Sequence, residues 1–510
     1  MTTAVPSGPD TAAGPAWANR LEPYYAAIVF CAALAPRLWL IHSFPVIFGG
    51  DSVVRLANRD RILLSYQLPL LQAALHYLSV VTSDPLAVRY LMAFAGAAAG
   101  LAFYAMTRAL LGGSTSASTA AFQTALWFAT SPFVIAFSIV PYQEILMLAG
   151  LFAAFAFAFK GEWTIAGIVL GLACLTRYEA WLACPVLAVA FLLEKGHRPA
   201  EIAKAVFWFG WAPLGWILIH GGVTPGGTYA AESAFRLERF YRYVYLGWIT
   251  VKNTPLPVLL LALFGAWVFW KRRLIAERRY QMLTAFVVLF LAAVLLSAHG
   301  ERDQPERFVT AREAHILLAA TVLLAGLGVS ALRRFRWTLV LAGSIVGLGM
   351  AHRFVANETS QPPFALSYQA ARYLDEHVRG GEQVVVLAQG VPAELLARYL
   401  DKAEQSGGVA GREKALAVLL VLDTSPPNYQ RILVHSRLGK EQLRSVASLP
   451  ANLVRAPAPA LPPAPRWVVL WSDFTPTNAV EEGLQEELAR RQPEQVFEHG
   501  GVRVAIYRME

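Results

Sequence analysis

Long apolar runs, separated by short charged clusters, dominate this chain. A helix needs about 20 apolar residues to cross roughly 30 Å of hydrocarbon. The pattern predicts eleven such spans: Tyr24–Phe44, Leu86–Leu111, Thr119–Val140, Tyr142–Phe159, Trp163–Leu175, Ala180–Leu193, Ala205–His220, Pro255–Trp270, Tyr280–Ala298, Ala314–Leu332 and Trp337–Phe354. Trp163–Leu175 and Ala180–Leu193 are short for a full crossing. They flank Thr176-Arg177-Tyr178-Glu179, which predicts a tight hairpin of tilted helices or a re-entrant pair. Between the first two runs, Gly49-Gly50 makes a turn and the stretch from Ser52 to Leu78 is amphipathic, giving a large first outer loop over residues 45–85.

After about Ala356 the periodicity becomes that of a soluble domain. Charge rises and prolines cluster at Pro362-Pro363, Pro426-Pro427 and from Pro457 to Pro465. Helices are expected over Ser367–Val378, Val391–Ala403 and Val480–Arg491. Strands are expected over Gln383–Ala388, Ala415–Leu422 and Trp467–Trp471, with Val502–Arg508 closing a hairpin onto Gln495–His499. Alternating strands and helices argue for a small α/β domain. The chain thus divides into a tail (1–20), a helical membrane domain (21–355) and a soluble C-terminal α/β domain (356–510), with no internal repeat.

Composition agrees: 56% of the 510 residues are hydrophobic and 15% are charged, against about 25% charged in soluble domains. This is the composition of a polytopic membrane protein, and no nucleic-acid partner is expected. The N-terminal segment, rich in Pro, Gly and Ala, lacks the basic and apolar regions of a signal peptide, and reads as a disordered cytoplasmic tail. With that end inside, the cytoplasmic loops hold Lys160, Lys195 to Lys204, Lys271-Arg272-Arg273 with Arg278-Arg279, and Arg333 to Arg336. That follows the positive-inside rule, and an odd number of spans puts the C-terminal domain outside the cell. Cys31, Cys174 and Cys184 all fall in apolar segments and imply neither a disulfide framework nor a thiolate metal site.

Three outward-facing span ends carry acids: Asp51 on its glycine turn, Glu144 opening the fourth span, and Glu179 beside Arg177 at the hairpin tip. Charge at a span boundary is a functional hypothesis by default, because its burial in lipid is costly. Each also has a structural reading. Asp51 suits an N-cap for a helix starting at Ser52, Glu144 suits a first helical turn after Pro141, and Arg177 and Glu179 can simply pair. Joint placement on one side favours function. Arg55, Arg59, Arg177 and Arg312 can make bidentate contacts to a phosphodiester, Asp51 can serve as a general base, and Tyr66, Tyr142, Tyr178 and Trp181 suit sugar faces. His220, His299 and His315 lie near outer span ends and leave room for a divalent metal, although no ligand spacing demands one.

The order of these motifs resembles a known family. An early loop Asp is followed by a loop running into Gln67-Leu68-Pro69-Leu70. Ser131-Pro132 precedes an acid opening the fourth span, then come Gly171 to Leu182 with Leu-Thr-Arg-Tyr-Glu at the centre, and finally Ala311-Arg312-Glu313-Ala314-His315. Over residues 24–355 this looks like the GT-C superfamily of polytopic glycosyltransferases, similar to the dolichyl-phosphate-mannose protein mannosyltransferases and the aminoarabinose transferases. Many relatives carry Asp-Glu where this chain has Asp51-Ser52, and open the late span with Arg-Tyr where it has Arg312-Glu313.

The resemblance implies a polyprenyl-phosphate-sugar donor and a lipid, glycan or protein acceptor at the outer face of the bacterial plasma membrane. It also implies inverting transfer with Asp51 as base, and Arg55, Arg59, Tyr66, Glu144, Arg177, Tyr178, Glu179 and Arg312 binding substrate. The rival expectation is a transporter or flippase of a lipid-linked or anionic substrate. Such proteins often show repeats and midplane sites on broken helices.

Overall fold

The computed structural model describes residues 20–57, 62, 68–82, 85–112, 114–196, 198–220, 241–296, 314–332, 336–377, 383–388, 415–421, 432–435, 467–472 and 479–509. Contacts divide the chain into two compact units. One comprises Met1–Ser43, Arg61–Ala74 and Arg89–Phe354, and the other Phe44–Asp60, Leu75–Val88 and Val355–Glu510.

Each apolar run is helical. The helices are α1 (Tyr25–Ser43), α2 (Gly50–Ala57), α3 (Pro69–Val81), α4 (Pro85–Leu111), α5 (Thr115–Ala129), α6 (Pro132–Ala136), α7 (Glu144–Phe159), α8 (Trp163–Cys174), α9 (Ala183–Lys195), α10 (Pro199–His220), α11 (Tyr241–Lys252), α12 (Leu256–Lys271), α13 (Arg278–Leu296), α14 (His315–Ala331), α15 (Arg336–Thr359), α16 (Pro362–His377) and α17 (Ala479–Ala489). Among the described residues, four helical stretches are long and apolar enough to cross a membrane: Glu22–Ser43, Leu86–Leu111, Pro199–Ile219 and Arg336–Thr359. Leu218, Trp270 and Leu263 point outward from their helices and stay exposed. A surface helix in water keeps such side chains on its inner stripe, whereas one in lipid can be apolar all round.

In the first unit, α12 and α14 cross with their backbones nearly touching. A Cβ on Gly265 or on Gly328 would collide with the backbone of the other helix, at Leu324 and Leu261 respectively. Small residues allow this approach, which supplies van der Waals contact where lipid offers no hydrophobic drive.

The run over Thr119–Val140, expected as one span, is broken. Ser131 is extended and Pro132 restarts the chain as the short helix α6, because proline has no N–H to donate and disfavours helical geometry in the residue before it. Carbonyls freed near the break meet two buried arginines. Arg37 of α1 donates to Ala33 O, to Ala129 O (3.2 Å), to Val134 O (3.2 Å) and to the Ser138 hydroxyl (2.6 Å). Arg89 of α4 donates to Ile139 O (2.9 Å) and Ile41 O (3.4 Å). Gly96 leaves the space for this cage, since a Cβ there would stand 2.6 Å from Ser138 Cβ.

Within the stretch from Ser52 to Leu78, the described residues belong mainly to α2, which lies in the second unit, and to α3. Gly49 takes a left-handed φ of 84°, and Ser52 donates its hydroxyl to Phe48 O and Gly49 O. Helix α2 begins at Gly50, so Asp51 lies inside the first turn. An N-cap precedes the helix, and that reading of Asp51 is therefore corrected.

The strands are β1 (Gln383–Ala388), β2 (Ala415–Val421), β3 (Ile432–His435), β4 (Trp467–Trp471), β5 (Gln495–His499) and β6 (Val502–Arg508). They form one sheet in the order β3-β2-β1-β4-β6-β5. The central trio β2-β1-β4 is parallel, and the outer pairings are antiparallel. Gly500 and Gly501, both at positive φ, make the two-residue turn of the β5–β6 hairpin, which favours such residues. Trp467 and Trp471 are buried, and Tyr373 of α16 packs edge-on against Trp467 and Phe497. Strand β3 was not expected from the sequence. The helix expected over Val391–Ala403 lies outside the described residues.

Candidate functional site

Among the residues proposed from sequence, Glu144, Arg177 and Glu179 meet. Glu144 is the first residue of α7. Pro141 and a bonded turn (Tyr142 N to Val140 O, 2.7 Å) bring the chain to that start. Arg177 is the extended residue before the 3-10 turn Tyr178–Leu182, which joins α8 to α9. The hairpin is tied at its base. Thr176 donates to Ala173 O (2.5 Å) and Trp181 to Cys174 O (3.0 Å). The thiols of Cys174 and Cys184 lie 3.6 Å apart, and Leu70 N donates to Leu175 O (2.9 Å). Gly171 in the same motif lies flat against the Trp211 ring, where any Cβ would overlap it.

The guanidinium of Arg177 is shared between two carboxylates. Its Nε donates to both oxygens of Glu179 (2.9 Å each), its Nη2 also reaches Glu179, and its Nη1 donates to Glu144 Oε1 at 2.5 Å. The Glu144 side chain is 1% exposed, against 11% for Arg177 and 19% for Glu179. Burial pushes the Glu179 carboxyl up, but the Arg177 guanidinium outweighs it with His315 adding to the effect, and the group is held below its ordinary range.

His315, the first residue of α14, is buried and lies within electrostatic reach of Glu179. Glu144, Glu179 and Arg177 carry one net negative charge between them, which a protonated His315 would offset. Ionised carboxylates are pure acceptors with several lone pairs each, so such a group can hold hydroxyls or cations. Tyr178 stands beside it, half-buried, edge-on to Trp181 at 5.1 Å.

Arg55 is buried in the second unit. Asp51 is placed on α2, with its side chain outside the described set, and Arg59, Tyr66 and Arg312 lie outside the described residues. Among those described, no three His, Cys, Asp or Glu residues group as metal ligands. Sequence reasoning passed over Arg37 and Arg89. A lone arginine inside the apolar run of α1 was the available signal.

No protein-family model and no curated protein matches the sequence. Solved structures do. ArnT from Cupriavidus metallidurans in the apo state aligns with a TM-score of 0.57 at 12% identity, covering 96% of this chain and 97% of that one. The same protein bound to undecaprenyl phosphate gives 0.56 at 12% identity, covering 97% and 98%. The Archaeoglobus fulgidus oligosaccharyltransferase gives 0.43 at 14% identity, and the match spans 74% of this chain and 61% of that longer one. The match with ArnT runs nearly end to end, and the resemblance read from the motifs holds at the level of fold: this chain has an ArnT-like fold.

Proposed function

We propose that this protein is an inverting membrane glycosyltransferase that moves a sugar from a polyprenyl-phosphate carrier to an acceptor hydroxyl at the outer face of the membrane. The observation that carries the reading is the end-to-end match with ArnT, which has been crystallised with undecaprenyl phosphate. The buried cluster adds a chemical reason, since it offers carboxylate acceptors at helix ends.

In the proposed reaction, Asp51 removes the proton from the acceptor hydroxyl. The oxygen attacks the anomeric carbon, the bond from that carbon to the phosphate oxygen breaks, and polyprenyl phosphate leaves with the electron pair. Attack opposite the leaving group inverts the configuration. Arg55, Arg59 and Arg312 are the phosphate candidates, because guanidinium forks match phosphate oxygens. Arg177 is already engaged by Glu144 and Glu179. Its part is to hold those carboxylates in place as acceptors for sugar or acceptor hydroxyls, with Tyr178 against a sugar face. The basic loops, including Lys271 to Arg273, face the cytoplasm in this reading.

The test is transfer in proteoliposomes supplied with an undecaprenyl-phosphate sugar and a hydroxyl acceptor. The parent should release undecaprenyl phosphate. Asp51→Asn should cut the rate by about 100-fold or more, the scale of a lost general base, with donor binding retained. Unchanged transfer by Asp51→Asn would remove the base assignment. Vectorial movement of the intact donor without transfer would replace the enzyme by a flippase.

A further inference from the structure

The first unit contains an apolar slot of about 340 Å³ between α4, α7, α12, α13 and α14, lined among others by Met106, Leu110, Phe155, Phe269, Leu283 and Leu323. It runs lengthwise. Leu148 and Ile316 stand at one end, a turn or less from Glu144 and His315, and Leu111, Tyr280 and Leu327 stand at the other. Along α14 alone, Ile316 to Leu327 spans about 16 Å at the helical rise of about 1.5 Å per residue. Ala266 and Val288, both exposed, form part of the wall, so the slot opens sideways onto the apolar flank. Interiors hold few voids larger than a water molecule, and an apolar space has no partners for water. Beside a bilayer, hydrocarbon is its natural content.

The two ends differ in charge. Near Glu144 stand two carboxylates and one guanidinium, with His315 within electrostatic reach of Glu179. Around Tyr280 stand Lys271, Arg272, Arg273, Arg278 and Arg279, all exposed. Arg272 and Arg279 lie within electrostatic reach of the Tyr280 hydroxyl, as does Glu277. Arg279 also donates to Ala109 O (2.6 Å), one residue from the lining Leu110. Arg108, on the same turn of α4, pairs loosely with Glu22 at 3.7 Å. The mouth at this end is strongly cationic.

We infer that the slot binds one acyl chain of an anionic glycerophospholipid, with the phosphate headgroup on Arg272 and Arg279 at the basic end of the bundle. This site is separate from the sugar-transfer cluster and does not depend on the proposed reaction. A polyprenyl phosphate with its phosphate at the basic end would offer the same chemistry, and displacement by undecaprenyl phosphate in the test below separates the two.

The test uses the full chain in mild detergent, stripped of lipid and then titrated with phosphatidylglycerol or phosphatidylcholine of identical chains, read by native mass spectrometry. Phosphatidylglycerol should bind more tightly, by about five-fold per engaged arginine. Arg272→Gln with Arg279→Gln should bring the two lipids to parity, and Ala320→Trp, which fills the slot, should abolish both. Equal binding of the two lipids by the parent overturns the inference. So does one-for-one displacement of phosphatidylglycerol by undecaprenyl phosphate. Should Ala320→Trp fail to fold, phosphatidylglycerol with a diazirine on its acyl chain decides with the parent protein. Crosslinks to Leu110, Leu283 or Val288 support the slot, and crosslinks confined elsewhere overturn it.

Discussion

Two buried polar clusters in the helical unit use arginine in opposite ways. Arg37 and Arg89 donate to backbone carbonyls and one hydroxyl, whereas Arg177 donates only to the carboxylates of Glu144 and Glu179 in the bonds described. The first arrangement satisfies main-chain groups that the Pro132 break left without helical partners, and it fixes a shape. The second joins three formal charges whose acceptor capacity exceeds what one guanidinium can use. A cation on carbonyls works as a brace. A cation between carboxylates gathers charged acceptors at one place, which is what a polar binding site needs.

The comparison breaks most sharply at Arg177. Replacing it with Met would take this guanidinium from the buried Glu144 and the half-buried Glu179, and removing one partner of a buried pair costs about 3–5 kcal/mol. Thermal unfolding in detergent should show the loss, and Glu144→Gln added to the same chain should recover part of it. No recovery would mean that the acids do not repel each other. Arg37→Leu should cost less, on the order of 3 kcal/mol from carbonyls left without donors. In sugar-transfer assays it should lower the amount of active protein rather than the turnover of what remains folded. A turnover defect in fully folded protein would move the brace into the site.

Gly96→Ala should destabilise by about 1–2 kcal/mol through overpacking against Arg37 and Ser138, again visible in unfolding. The smallest effect expected is acid sensitivity. Glu179 titrates below its unfolded value, so its contribution is complete above the unfolded carboxylate range and fades as pH falls through the lowered folded value. Glu179→Gln should flatten the acid limb of the stability profile. An unaltered limb would show that Glu179 gains nothing from Arg177.

The helices were legible because lipid demands long apolar runs, and the predicted runs are helical apart from the break within Thr119–Val140. The break at Ser131-Pro132 was on the page as a proline but was masked by the apolar residues around it. Strand β3 escaped because Ile432 to His435 is only four residues long, too short for a period-two pattern to declare itself. Of the site, the sequence placed Glu144, Arg177 and Glu179 on one side, but not their shared geometry, since Glu144 and Arg177 are 33 residues apart. The seating of His315 near Glu179 is likewise a product of packing between helices distant in the chain. Arg89 drew no notice in the sequence, and its carbonyl partners Ile139 and Ile41 are visible only in the fold.

Arg37 also constrains the order in which the chain can be built into a bilayer. Its helix leaves the ribosome first, while the carbonyls of Ala129 and Val134 and the hydroxyl of Ser138 follow 92 to 101 residues later. An arginine at the centre of an inserting helix costs about 2.5–3.5 kcal/mol on translocon scales. Until its partners arrive, the side chain must reach headgroups or water. Arg37 lies six residues before the end of α1, about 9 Å at the helical rise, which a long side chain can bridge in part by snorkelling. The hydrogen bonding of α1 is therefore completed only by a segment synthesised after it, so folding of the broken α5–α6 segment and seating of Arg37 are one event.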